Sequence, residues 1–260
     1  MRKLFTVLTA LGLVVALGGT ATAKKGPLRV ATSLPGPGFF DGGDTPEDIN
    51  GGYEYAIAKE LAKRLGYDGI TLKNVSFDAL VAGTVKGFDI AFSQVTILPE
   101  RAKVVDFSTP YFSSDIGILV RTGDKVTEKN QKKIQWGVQT ATTSQTFLEK
   151  KVKPEKEPRS YEDLSAAFAA LQAGQIDAVL IDTAIVLGEA NQSNGKFEVV
   201  GQYKTGEAYG AIFPKHSKIE NKVNKTLKAM IKDGTVAKFS DKYLKPAFGE
   251  DPSKVPYLKP

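Results

Sequence analysis

Two charged residues in this chain stand where charge is costly. Asp182 closes the run Ile176-Asp-Ala-Val-Leu-Ile-Asp182, and Arg101 lies within Thr96-Ile-Leu-Pro-Glu-Arg-Ala-Lys-Val-Val-Asp-Phe-Ser108, just past a strand of buried character. A guanidinium at the end of a buried strand can hold a carboxylate with two parallel hydrogen bonds. Thr96 can add a hydroxyl and a backbone N–H to such a grip. A carboxylate at the end of an apolar strand suits an ammonium group. Structural roles are also open to both residues: Arg101 can pair with Glu100 or Asp106 at the surface, and Asp182 can cap a helix over 183–189. A third stretch, Trp136-Gly-Val-Gln-Thr-Ala-Thr-Thr-Ser-Gln-Thr-Phe147, places five hydroxyl residues in the seven positions from Thr140 to Thr146. That is the start of a helix with Ser/Thr caps, where free N–H groups favour an anion or simply receive the caps.

Counting excludes other chemistries. The chain has one His and no Cys, so no two-histidine metal site, thiolate site or cysteine nucleophile can form within it. A Ser-His-Asp triad would have to use His216, which follows Pro214-Lys215 in a polar turn and reads as a bystander. Gly36-Pro-Gly38 lacks the spacing of a dinucleotide or phosphate loop. No metal and no cofactor is therefore expected. A hydrophobic content of 42% and a net charge of +6 over 260 residues describe a folded protein. The lysines of 125–133 and 150–156 read as solvated faces, and no nucleic-acid partner is expected.

The first 23 residues read as a secretory signal outside the fold. Arg2 and Lys3 form a positive start, Leu4 to Leu17 is almost unbroken apolar sequence, and Ala21-Thr-Ala23 is a small-x-small cleavage site. The apolar run is shorter than the roughly 20 residues that span a bilayer. Cleavage removes two positive charges and leaves +4. With no cysteine at the cleavage point there is no lipid anchor, so the expected location is the periplasm, free of the membrane.

The elements that position these residues follow from periodicity. Leu28–Ser33 alternates as a strand. Tyr53, Ala56, Ile57, Leu61 and Leu65 form a helical stripe that stops at Gly66. Ile70 to Val75 is a second strand, about 77–86 a short helix, and Phe88–Ser93 a third strand. The pattern restarts after Gly123, with a strand at Ile134–Val138, a capping box Ser160-x-x-Asp163 ahead of a helix that ends at Gly174, and a strand over 176–181. Strands alternating with helices indicate an α/β fold with mostly parallel sheets. Each unit carries an apolar-Asp-apolar strand, Phe88-Asp-Ile90 and Ile176-Asp-Ala178. Five residues past that Asp lie Gln94 in one unit and Asp182 in the other. Ligands in such sheets sit outside the carboxyl ends of strands, so two facing units aim residues 93–96 and 182 into one crevice. The apolar extended segments Asp115–Arg121 and Tyr209–Phe213 read as crossovers between two lobes. The tail from Ile219 is helical, with Val223, Leu227 and Met230 in one stripe, and returns to the first lobe.

Taken together, these stretches resemble the periplasmic solute-binding proteins of polar amino-acid ABC transporters, the family-3 extracellular binding proteins. The resemblance covers nearly all of residues 27–248. Its most specific part is Thr96-x-x-Pro-Glu-Arg101-x-x-x-Val-Asp106-Phe-Ser-x-Pro-Tyr111. It is joined by Gly52-Tyr-Glu, Gly137-Val-x-x-x-Thr-Thr143, Ile176-Asp-Ala-Val-x-x-Asp182 and Tyr209-Gly210.

The resemblance implies a two-lobe periplasmic-binding-protein fold of type II, in which each lobe is a mostly parallel sheet flanked by helices and two hinge crossovers join the lobes. Lobe 1 is expected over 24–120 and 208–260, and lobe 2 over 121–207. It also implies site roles. Arg101 clamps a ligand α-carboxylate with help from Thr96 and, from the second lobe, Thr143. Asp182 binds the α-ammonium, Gln94 contacts the ligand mainly through its backbone, Phe77 lines the side-chain pocket, and Gln139 lies near the ligand. Where the family often carries an Asp and then an aromatic, this chain has Ser33 and Gly36, which favours a neutral side chain such as glutamine's over a basic one. Phe39 or Phe40 can replace the missing aromatic, and Glu207 can bring a further acid to the cleft. The implied partners are an amino acid and the permease subunits of an ABC transporter, with the protein itself a monomer and no enzyme. Two other classes are compatible with the residues. One is an arogenate/prephenate-type dehydratase on the same fold with Glu207 as general acid, and the other is a ligand-sensing module.

Overall fold

The computed structural model describes residues 25–260; the expected signal segment lies outside the described residues. The chain builds two five-stranded sheets. The strands are β1 (Leu28–Thr32), β2 (Ile70–Asn74), β3 (Ile90–Ala91), β4 (Val105–Phe107), β5 (Phe112–Arg121), β6 (Trp136–Gln139), β7 (Arg159–Tyr161), β8 (Ala178–Asp182), β9 (Phe197–Tyr209) and β10 (Ile212–Pro214). Helices α1 (Tyr53–Arg64), α2 (Phe77–Val81), α3 (Thr143–Phe147), α4 (Leu164–Gln172), α5 (Thr183–Gln192), α6 (Glu220–Lys232), α7 (Thr235–Phe239) and α8 (Lys245–Phe248) flank them.

The sheet orders are β2-β1-β3-β10-β4 and β7-β6-β8-β5-β9. In each sheet four strands run the same way, and one, β10 or β5, lies antiparallel between two of them. The carboxyl ends of β1, β3, β6 and β8 therefore supply Ser33, Gln94, Gln139 and Asp182. Each unit also repeats one structural contact at the opposite end of the sheet. Asp89 accepts the N–H of Arg29 at 2.9 Å and donates its own to the Arg29 carbonyl at 2.8 Å. Asp177 does the same with Gln135, at 2.7 and 2.8 Å. The Asp of the apolar-Asp-apolar strand thus locks the start of the neighbouring parallel strand.

Helix ends follow local chemistry. At the end of α1 the Gly66 N–H bonds to the Lys63 carbonyl and the Tyr67 N–H to that of Ala62, with Gly66 at φ 76°, the paired closure that a left-handed glycine allows. The same pairing at Gly83 (φ 71°), from Gly83 to Leu80 and Thr84 to Ala79, stops α2 at Val81. The helix expected over about 77–86 is shorter for that reason. The expected third strand over 88–93 pairs in the sheet only at Ile90–Ala91 before Gln94 turns it with φ 49°.

Three other expectations are corrected. Asp115–Arg121 is no crossover: it lies inside β5, a strand flanked by β8 and β9. Its residues Ile116 to Val120 are buried, and a strand covered on both faces reads as a continuous apolar run. The first crossing between sheets is Ser108–Tyr111, so the boundary placed at 120/121 moves back to it; the second is Gly210–Ala211. The end of the chain does not stay with the first lobe. After α8 it hydrogen-bonds to the second sheet: Gln202 Nε2 donates to the carbonyls of Pro252 and Val255, Tyr257 to Asp115, and Gln131 to the carbonyl of Lys259. The third correction concerns the start of α4. Ser160 belongs to β7, and Asp163 is the cap, its carboxylate accepting the Ala166 N–H at 2.8 Å.

The cap assignment is tested by a pair of variants. Asp163→Ala should lower the unfolding free energy in urea by about 1 kcal/mol, the usual cost of a lost N-cap, whereas Ser160→Ala should leave it unchanged. An equal loss in both would restore the capping box.

Candidate functional site

Arg101 begins a short 3-10 turn after β3 and is 8% exposed. Its Nη1 donates to the Thr96 carbonyl at 3.0 Å and its Nη2 to the Ala141 carbonyl of the other lobe at 2.8 Å. Its Cζ lies 5.5 Å from the centre of the Phe77 ring. Neither Glu100 nor Asp106 pairs with it, since Asp106 holds Lys215 and the His216 N–H. Burial lowers the pKa of Arg101, opposed by the charges of Glu207 and then Asp182; a guanidinium so placed is still a cation. Ala141 can reach it because its backbone is left-handed (φ 63°), a turn held by Gln145 Oε1 on the Ala141 N–H.

Asp182 ends β8 with 5% exposure. It stands at the cap position of α5 yet caps nothing, and its Oδ1 accepts no hydrogen bond from the described residues. Burial pushes its pKa well above the usual carboxylate range. The charge of Glu207 adds to that shift, while the Tyr209 hydroxyl and the Arg101 charge oppose it. A buried carboxylate oxygen without a donor is costly unless a donor arrives.

These two charges line one cavity between the lobes. Ser33, Phe77, Gln94, Thr96, Gln139 and Thr143 line it as well, so the structure brings all eight sequence-derived candidates together. Thr142, next to Thr143, caps α3 by accepting the Gln145 N–H at 3.1 Å. Gln139 Nε2 donates to the Glu162 carbonyl at 3.1 Å, and the Ser33 N–H donates to Ser93 Oγ at 3.1 Å. Thr96 and Thr143, one from each lobe, both donate their hydroxyls to the carboxylate of Glu207. Phe39 and Phe40 are not in the cavity. They are core residues, and the Phe39 ring packs against Tyr53, Phe112 and Tyr209.

The sequence pattern of the bacterial extracellular solute-binding proteins, family 3, matches residues 44–246. The chain belongs to that family. This solute-binding protein is 32% identical over 236 residues to the L-cystine-binding protein TcyJ of Escherichia coli strain K12, covering 89% of this chain and 86% of that one. It is also 32% identical over 212 residues to the ABC transporter glutamine-binding protein GlnH of Bacillus subtilis strain 168, covering 78% and 74%. Among solved structures, an ancestral arginine-binding protein bound to arginine matches with a TM-score of 0.74 at 33% identity, over 85% of this chain and 99% of that one. The two-lobe fold is that of the type II periplasmic binding proteins. No helix of the described residues is long and apolar enough to cross a membrane.

The residue that sequence reading missed in this solute-binding protein is Glu54. It is fully buried, and both the N–H and the side-chain amide of Gln94 donate to it, as does the Tyr111 hydroxyl. Gln94 is therefore tied to Glu54 through both its N–H and its side-chain amide. The signal was present in the helical stripe. Glu54 is three, four and seven residues before Ile57, Ala58 and Leu61, all buried, and a carboxylate on an apolar face needs partners. Ser93, within the 93–96 stretch aimed at the crevice, lines the cavity as well, and Leu164, Ile181 and Ile185 line it without having been singled out.

Burial pushes Glu54 up to about 7, with the bonds from Tyr111 and Gln94 acting in the opposite direction. A carboxyl raised in the folded state contributes stability that is full below its ordinary value of 4.5 and is lost as pH rises through about 7. Relative to Glu54→Gln, the native protein should therefore lose unfolding free energy between about pH 4.5 and 7 and no more above that range. A difference between the two proteins that stays constant with pH, measured by urea unfolding, would contradict the assignment.

Proposed function

We propose that this solute-binding protein captures a free α-amino acid between its lobes and delivers it to the permease of an ABC importer. The observation that carries the reading is the buried Asp182, whose Oδ1 has no donor among the described residues, in the same cavity as the buried cation Arg101. A zwitterion supplies the donor that Asp182 Oδ1 lacks: its ammonium goes to Asp182 and its carboxylate to Arg101, Thr96 and Thr143. Because Arg101 and Thr96 come from one lobe and Thr143 and Asp182 from the other, both ends are satisfied only when the lobes close. Binding is thereby linked to hinge motion. The closed surface is what a permease reads. Export through the expected signal segment places a monomeric protein of this kind in the periplasm.

The ligand side chain is uncharged in this reading. Arg101 and Asp182 are the charged residues lining the cavity, and both are taken by the backbone groups of an amino acid. The remaining lining combines Ser33, Ser93 and Gln139 with Phe77, Leu164 and Ile185, which suits a neutral polar chain such as glutamine's. Among the relatives, the glutamine-binding protein agrees with that choice, and the arginine-binding ones mark the basic amino acids as the competing class. The dehydratase reading has less support. Its general acid would be Glu207, which is engaged with the Thr96 and Thr143 hydroxyls and is not among the residues that line the cavity.

A thermal-shift screen against the twenty amino acids tests the proposal, since a ligand that binds only the folded state raises the melting temperature. A neutral polar amino acid should give the largest rise. Arg101→Ala and Asp182→Asn should each weaken its binding at least tenfold by calorimetry, as charge-assisted bonds contribute ~1.5–3 kcal/mol each. Unchanged affinity in either variant would remove that residue from the site, and no shift with any amino acid would overturn the function.

A further inference from the structure

Glu207 stands near the end of β9, where that strand leaves the second sheet for the crossing at Gly210–Ala211. Its carboxylate accepts the Thr96 hydroxyl of the first lobe and, through the same Oε2, the Thr143 hydroxyl of the second at 2.9 Å. It is also the strongest negative charge acting on Arg101, ahead of Asp182 and Glu100. So two of the groups that would grip a ligand carboxylate, Thr96 and Thr143, already engage one carboxylate of the chain itself, and the charge of that carboxylate acts through space on the third, Arg101.

A hydroxyl has one proton to donate. While the protons of Thr96 and Thr143 point at Glu207, those oxygens present only lone pairs to anything else nearby. A second carboxylate brought to the same place meets lone pairs and a like charge. Two carboxylates sharing one small site repel each other strongly. Simultaneous occupancy is therefore disfavoured, and one of the two must leave.

We propose that Glu207 is an internal competitor for the α-carboxylate subsite: it bridges the two lobes through Thr96 and Thr143, and an amino-acid ligand binds by displacing it. This rests on the amino-acid reading given above. The bridge holds the same hydroxyls that the ligand needs and places its charge near the same cation, so every ligand must outcompete it. The competitor sits on β9, three residues before the second crossing between the sheets. Molecules that have an ammonium but no carboxylate leave Glu207 in place and gain nothing from the Arg101 side. Glu207 in this way sets the absolute affinity and sharpens discrimination in favour of ligands with a free α-carboxylate.

The sign of one measurement decides the matter. Glu207→Ala and Glu207→Gln are titrated calorimetrically with the amino acid that stabilises the native protein most, with Arg101→Ala as reference. Displacement requires Glu207→Ala to bind about tenfold or more tightly than the native protein, the scale of one charge-assisted hydrogen bond, and Glu207→Gln to move in the same direction. If Glu207 instead supports the ligand, for example by orienting the two threonines, both variants bind more weakly or equally, and the proposal is overturned while Arg101→Ala still loses binding. If Arg101→Ala binds as well as the native protein, the amino-acid reading fails and this inference fails with it. Should Glu207→Ala not fold, the direction of the shift in Glu207→Gln alone decides.

Discussion

Taking a guanidinium and a carboxyl group out of water in the same cavity is the constraint around which this molecule is arranged. Desolvation works against Arg101 and Asp182 alike, and removing full charges from water costs several kcal/mol per ion unless partners replace the solvent. For Arg101 the replacement is built in. The Thr96 carbonyl lies on its own lobe, and the Ala141 carbonyl reaches it across the cleft from a left-handed turn. For Asp182 it is not, and one oxygen is left without a donor. The two lobes differ in this respect. One brings a charge already satisfied by dipoles, and the other brings a charge that still needs a partner.

The fold serves that arrangement by putting strand ends in the right place and by bracing them. Carboxyl ends of parallel strands from both sheets face one cleft. Directly beneath Gln94 lies Glu54, a buried carboxylate that collects both amide groups of Gln94 and the Tyr111 hydroxyl. Tyr111 closes the first crossing between sheets and Gln94 borders the cavity, so a single side chain couples the hinge to the floor of the cleft. The C-terminal segment adds a further tie from the first lobe to the second sheet. Tyr257 bonds Asp115, whose other oxygen accepts the N–H groups of Thr205 and Gly206 just before the second crossing.

Much of this was legible in the sequence because it is written in local signals. Alternation marked β1 and β2, stripes marked α1 and α6, and an acid at the end of an apolar strand marked Asp182. The misreadings have definite causes. The apolar run of Asp115–Arg121 is equally a crossover or a doubly covered strand until its neighbours are known. Ser160 and Asp163 both fit a cap, and only the strand pairing of Ser160 with Val138 settles which one is used. Glu54 was hidden because a single acid in an amphipathic helix is ordinary unless its face is checked residue by residue. The course of the C-terminal tail has no local signal at all, because its partners Gln202, Asp115 and Gln131 lie at least 50 residues away.

The internal repeat shows how one scaffold came to carry two different ends. In each unit an Asp at the far end of the sheet, Asp89 or Asp177, holds the neighbouring strand by the same reciprocal pair of bonds. That pair fixes the strand register, and a fixed register fixes which residue emerges five positions later at the cleft. In the first unit it is Gln94, bent away by a left-handed backbone and bound to Glu54. In the second it is Asp182, extended from a regular strand and left with an open oxygen. The repeated Asp delivers equivalent positions to a shared cavity, and the residue placed there decides whether the position braces the wall or awaits a ligand. A symmetric scaffold can thus present a chemically asymmetric site, which is what a ligand with a cationic and an anionic end requires.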